Sequence, residues 1–192
     1  TDGPFAEVLG LVADRIQVSV DVAPLVDVVL GEKAQYVVVA GDRLFQELEA
    51  GRYRPAGRVG FIRTHDPRGE PEITGPPPHP GLLGRLDRFV VAEERLAGLV
   101  RRLLGESWCV DSLASALELH QAAPGAWRLV ALSGEMVEPD GTLLVGSRLP
   151  PTGLVSRRSE LRVLREQASQ LEQSIRDLQA ELHGLDTSLQ EH

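Results

Sequence analysis

The chain has 192 residues, 42% hydrophobic and 25% charged, with a formal net charge of −8. This is the composition of a soluble globular protein, and the net negative charge excludes a chain dominated by phosphate-backbone binding, though not a local basic patch. One cysteine, Cys109, excludes an intrachain disulfide; no apolar run nears the ~18 residues of a membrane span; and the polar start Thr1-Asp2-Gly3-Pro4 is unlike a signal peptide. A cytoplasmic protein without a membrane partner is expected.

In chain order, the first helix-like run ends in Leu25-Val26-Asp27-Val28-Val29-Leu30-Gly31-Glu32. The glycine suits a helix C-terminus because it tolerates positive φ. A short apolar strand comes next at Tyr36–Ala40, then Asp42 as a candidate cap, a helix over Arg43–Ala50 and a strand over Arg58–Ile62. Residues 65–84 are rich in proline and glycine (Pro67, Pro71, Gly75, Pro76, Pro77, Pro78, Pro80, Gly81, Gly84) and read as a linker or surface loop.

The same order then returns. Leu99-Val100-Arg101-Arg102-Leu103-Leu104-Gly105-Glu106 parallels the first run, succeeded by a strand at Trp108–Val110, Asp111 as a candidate cap, a helix over Ser112–His120 and a strand over Arg128–Leu132. Helix–strand–helix–strand twice implies an α/β (α+β) fold of two similar lobes, 1–64 and 85–153, around the linker. Glu138-Pro139-Asp140-Gly141 marks a hairpin turn between apolar runs. Gly146, Pro150, Pro151 and Gly153 then break the chain, and Ser156 is a candidate N-cap for the final helix.

Residues 154–192 form an arm. Leu161, Leu164, Ala168, Leu171, Ile175, Leu178, Leu182, Leu185 and Leu189 alternate at three- and four-residue spacings, an unbroken heptad repeat without proline. A 3.5-residue period keeps one narrow apolar stripe turned toward a partner helix, as in a coiled coil. At ~1.5 Å per residue the stripe outruns what a small domain can cover. The partner strand is absent from the sequence, so a helix upstream in a longer chain, or one from another chain, is expected to supply it.

Signs of catalysis or metal binding are lacking. The sequence has no Gly-x-x-x-x-Gly-Lys-[Ser/Thr] loop to cradle a nucleotide. One cysteine with the scattered His65, His79, His120, His183 and His192 offers no recognisable zinc set. His65-Asp66 reads as a loop pair, and Trp108 and Trp127 as core aromatics.

Taken in order, these pieces resemble the hinge of SMC (structural maintenance of chromosomes) proteins. The resemblance rests on Gly57-Arg58-Val59-Gly60-Phe61-Ile62; on Leu104-Gly105 and Cys109-Val110-Asp111; on Val130-Ala131-Leu132-Ser133-Gly134-Glu135-Met136-Val137; and on Gly141, Val145-Gly146-Ser147 and Gly153-Leu154-Val155-Ser156-Arg157-Arg158. Val59-Gly60, Thr64 and Val145 depart from the family's usual Ala-Thr, Leu and first glycine of a pair. The resemblance implies a homodimerisation hinge of a chromosome condensation and segregation ATPase, itself no enzyme and needing no cofactor, with the ATPase heads elsewhere and a nucleoid setting. Two hinges would join head to tail through sheet edges, where Gly60, Gly141, Val145 and Gly146 are the interface candidates. It also implies weak sequence-independent DNA contact, for which Arg52, Arg54, Arg58, Arg63 and Arg68, with Arg157, Arg158, Arg162 and Arg165 at the root of the arm, are candidates. The competing reading of these arginines is a solvated surface. The competing reading of the whole is a small-molecule-binding α/β regulatory domain with a coiled-coil oligomerisation tail.

Overall fold

A computed structural model describes residues 3, 5–66, 69, 73–146 and 153–190, with side chains of the last helix described as far as His183. The first half runs β1 (Val8–Leu11), α1 (Val12–Arg15), β2 (Ile16–Val18), α2 (Ala23–Leu30), β3 (Val37–Val39), α3 (Arg43–Glu49) and β4 (Phe61–Arg63). The second half runs β5 (Leu82–Arg85), a 3-10 turn (Leu86–Phe89), β6 (Val90–Ala92), α4 (Ala97–Leu104), β7 (Ser107–Val110), α5 (Leu113–Ala122), β8 (Arg128–Ala131), β9 (Met136–Val137) and β10 (Leu143–Leu144). The arm is α6 (Leu154–Gln190).

The two halves share a topology that reaches further than the repeat visible in the sequence. In each, an antiparallel strand and a parallel strand flank a central one: β1-β3-β4 in lobe one, β5-β7-β8 in lobe two. Both first strands carry a bulge at a glycine with φ positive, Gly10 at +126° and Gly84 at +142°. Lobe two continues with β9 and β10, giving a sheet ordered β10-β9-β8-β7-β5. The lobes are joined by an antiparallel ribbon of β2 and β6, in which Gln17 faces Val91. Repeating the chain at Leu25 on Leu99 and Gly10 on Gly84 also sets Gln17 on Val91, so this ribbon lies where a two-fold between the lobes would pass.

Packing joins the lobes as well. One buried cluster contains Val12, Leu25, Val26 and Val38 of lobe one together with Leu86, Leu96, Leu99, Leu104, Cys109 and Val130 of lobe two. A smaller cluster, with Val110, Ala116, Leu119, Leu129, Ala131 and Val137, belongs to lobe two alone. Each large aliphatic side chain buried this way contributes on the order of 1.5–3 kcal/mol.

Several local expectations need correction. The strand expected over Arg58–Ile62 is β4, Phe61–Arg63, whose pairing with β3 begins at Phe61 opposite Val37. Neither aspartate expected as a cap makes a side-chain capping bond to its own helix. The Arg43 N–H at the start of α3 donates to Glu7 at 3.2 Å, and Asp42 instead pairs with Arg63. Ser112 caps α5 by accepting from the Ser115 N–H, while the Ser115 hydroxyl donates to Asp111.

The proline-rich stretch is a strap as much as a linker. Ile73 packs on Gly105, Gly75 lies against the Trp108 ring, and the Trp127 indole N–H donates to the Thr74 carbonyl at 2.8 Å. The Gly81 N–H donates to His79 Nδ1, which leaves Nε2 to donate to Glu118 at 3.0 Å. The strap ends inside the segment read as linker, where β5 joins the lobe-two sheet. Trp108 and Trp127 are half-buried beneath it rather than sealed in the core.

Candidate dimer interface and the root of the arm

In a parallel pair, alternate residues point their N–H and C=O groups to opposite sides of the strand. The bonds from Val37 to the Gly60 carbonyl and from Thr64 to the Val39 carbonyl turn Gly60, Ile62 and Thr64 toward β3. Phe61 and Arg63 therefore face the open edge of lobe one. The Arg63 carbonyl there accepts from Arg102 at 2.5 Å, leaving Phe61 and the Arg63 N–H for an incoming strand. The corresponding strand of lobe two, β8, is covered by β9. Lobe one thus has no counterpart of β9 and β10 and stops two strands short of lobe two.

β10 is an edge strand of lobe two, at the opposite end of the sheet from β5. Leu144 is 47% exposed and Val145 65% exposed, next to Leu143. Such apolar side chains on an uncovered sheet edge invite a further strand. Glu138 and Thr142 close the hairpin, Thr142 N–H to Asp140 holds its turn, and the neighbouring N–H groups hold the Asp140 carboxyl below its usual range.

The interface candidates separate into different roles. Gly60 stands directly before β4, where any side chain would collide with the Tyr36 ring; its smallness serves packing inside the lobe. Gly141 has φ +86° and belongs to the turn. Val145 and Gly146 come just after β10, and among the described residues nothing lies within 4 Å of where a Gly146 side chain would begin, so neither is covered by them.

The arginine candidates are largely engaged. Arg52 makes two bonds to Glu47, at 2.7 and 2.9 Å. Arg63 pairs with Asp42 and stacks 3.7 Å over Phe45. Arg157 reaches the Gly153 carbonyl, Arg158 pairs with Asp14, and Arg162 donates to the Val18 carbonyl at 2.7 Å. Arg54, Arg58 and Arg165 extend into solvent, and Arg68 lies outside the described residues. Charge spacing in the sequence could not show this pairing, because the carboxylates and carbonyls come from distant segments.

The arm is a single helix of 37 residues. Its stripe is bare: Leu161, Leu164, Ala168, Leu171, Ile175, Leu178 and Leu182 are all exposed, Leu171 by 65%. Leu185 and Leu189 lie beyond the described side chains. At the root, Ser156 is not the cap. The helix begins at Leu154, and the Val155 and Ser156 N–H groups donate to the Asp27 carboxylate at 2.9 and 2.8 Å. The Ser159 hydroxyl donates to the Val18 carbonyl at 3.0 Å, and Val155 is buried. Every one of these partners belongs to lobe one.

Cys109, 2% exposed in β7, is a packing residue. Burial pushes its thiol up to about 11. It is therefore protonated at pH 8, and since the thiolate is the nucleophile, alkylation should be far slower in the folded protein than in denaturant. Mass spectrometry of timed alkylation checks this; equal rates would contradict the burial. Among the described residues no group of metal-type ligands is clustered, and no helix is long and apolar enough to cross a membrane.

Two lobes that repeat one strand topology, open sheet edges of unequal completeness and a coiled-coil helix at the base define a hinge-type α/β association module. Known proteins place it further. The family model described as the SMC proteins flexible hinge domain matches residues 5–120. The chromosome partition protein Smc of Rhodopirellula baltica is 35% identical over 184 residues, covering 93% of this chain and 15% of that protein. Its namesake in Myxococcus xanthus is 29% identical, covering 89% of this chain and 14% of that protein. Among solved structures, an asymmetric dimer of the Geobacillus stearothermophilus SMC hinge domain matches with a TM-score of 0.73 at 22% identity, covering 90% of this chain and 71% of that one. The chain belongs to the SMC hinge family, in its bacterial form, and spans about 15% of the length of the curated relatives it matches.

Proposed function

We propose that this chain is the homodimerisation hinge of a cytoplasmic, nucleoid-associated chromosome partition protein, joining two coiled-coil arms. β10 of one copy adds to β4 of the other, and the two-fold repeats the contact at the opposite ends. The carrying observation is the complementarity of the edges within one chain: lobe one lacks the strand that covers its counterpart in lobe two, and lobe two ends in an apolar, uncovered strand. Pairing them satisfies backbone groups on both sides and buries Leu143, Leu144 and Val145. A single chain cannot do this itself, since both edges sit on one body with a shared core.

The arm's bare stripe takes an antiparallel helix from upstream in the same full-length protein, whose ATPase activity resides outside the hinge. For DNA, only Arg54, Arg58 and Arg165 of the described candidates remain unengaged within the chain, which supports the solvated-surface reading. The hinge therefore acts by self-association rather than by phosphate binding. Light scattering tests it: at low micromolar concentration the mass should be twice 20.9 kDa, and a monomer would overturn it.

A further inference from the structure

We infer that Asp27 is the residue that sets the direction of the arm, and that it ties the arm to lobe one although the chain reaches the arm from lobe two. Asp27 lies in the last turn of α2. A carboxylate there opposes the dipole of its own helix. It lies instead at the start of α6, where the dipole and the free N–H groups favour an anion. It accepts from the Val155 and Ser156 N–H groups and, at 2.6 Å, from the Ser156 hydroxyl. Gly153 completes the joint: a side chain there would collide with the Asp27 carboxylate. Ser159 and Arg162 both donate to the Val18 carbonyl one turn further along, and Arg158 pairs with Asp14.

The internal repeat supplies an independent control. Aligning Leu25 with Leu99 puts Arg101 at the position of Asp27 and Ala92 at that of Val18. The surrounding leucines and the glycine are kept in both lobes, while the acidic residue stands only in the lobe that carries the arm. A cation at that position would repel the start of a helix. The lobes are therefore distinguished at the residue the arm needs. Resting on the proposed dimer, the consequence is that movement of lobe one against the partner's lobe two is carried into the arm.

The experiment labels the full chain at Glu32→Cys and Gln170→Cys, both exposed, and dilutes it into excess unlabelled chain so that pulsed electron resonance reads the distance within one copy. The parent should give a narrow distribution. Asp27→Ala should broaden it several-fold, Asp27→Asn less because one acceptor oxygen remains, and Gly153→Ala should broaden it from the other side of the contact. The double change Asp27→Ala with Gly153→Ala should be no broader than Asp27→Ala. Leu119→Ala, a lesion in lobe two, should leave it narrow, and light scattering should show the same mass for all. Distributions as narrow as the parent's would overturn the inference. So would equal broadening by Leu119→Ala, which would reflect general loosening. Should the parent itself be monomeric, the proposed dimer fails, yet the width comparison still decides the role of Asp27.

Discussion

Changing Gly146 to glutamate should give a folded monomer. Among the described residues nothing lies within 4 Å of where its side chain would begin, while its φ of +159° makes any side chain there strained, so the substitution clashes with none of them, costs some backbone strain and should lower the melting temperature only modestly. In the dimer proposed above, the same position comes just after the strand that pairs across chains. A glutamate there must be desolvated against apolar neighbours or hold the strands apart, and an unpaired charge in such a place costs several kcal/mol. At ~1.4 kcal/mol per tenfold, the dissociation constant should rise by at least ~100-fold. Sedimentation velocity across a concentration series reads it. A variant that remains dimeric at low micromolar concentration would remove Gly146 from the interface.

Truncating Leu104 to alanine should destabilise both lobes together. Leu104 is 1% exposed and lies in the cluster shared between them. A fully buried leucine cut to alanine costs ~2–5 kcal/mol, which for a domain of this size lowers the melting temperature by roughly 5–15 °C. Because Leu25, Val26 and Val38 stand in the same cluster as Leu99, Leu104 and Val130, the lobes should melt in one transition by calorimetry. Two transitions, with only one moved, would show that the lobes fold separately despite their shared core.

Much of the fold was legible in the sequence, and the reasons differ by element. The heptad in α6 could be read because a period of 3.5 is imposed by the partner helix and needs no tertiary information. The repeat was visible where helix ends keep Leu-Gly-Glu, at Leu30-Gly31-Glu32 and Leu104-Gly105-Glu106. It was hidden at β1 against β5 and β2 against β6. Those strands are three or four residues long, too short to show alternation, and only the bulge glycines Gly10 and Gly84 signal them. Composition marked residues 65–84 as a linker, but not that β5 begins there at Leu82, nor that Gly75 and Gly81 are small in order to pass Trp108 and Ser115.

The site was less legible than the fold. Gly60, Gly141 and Gly146 are the same residue type with three different surroundings: a tyrosine ring, a left-handed turn and, among the described residues, open space. Caps were expected from neighbours in sequence, yet Glu7 and Asp27 reach their helix ends from far away along the chain. Asp27 did carry a signal, an acidic residue in the last turn of a helix and replaced by Arg101 in the repeat, which becomes meaningful once the arm's position is known.

If the globular lobes, rather than the arm, hold two copies together, association should survive loss of the coiled-coil stripe. The most direct measurement is the solution mass of the chain ending at Glu166, which keeps the root contacts through Arg162 and removes the stripe from Ala168 onward. A dimer at low micromolar concentration is the predicted result. A monomer, with the full chain still dimeric, would mean that the exposed stripe was the only bond, and would favour a regulatory domain with an oligomerising tail.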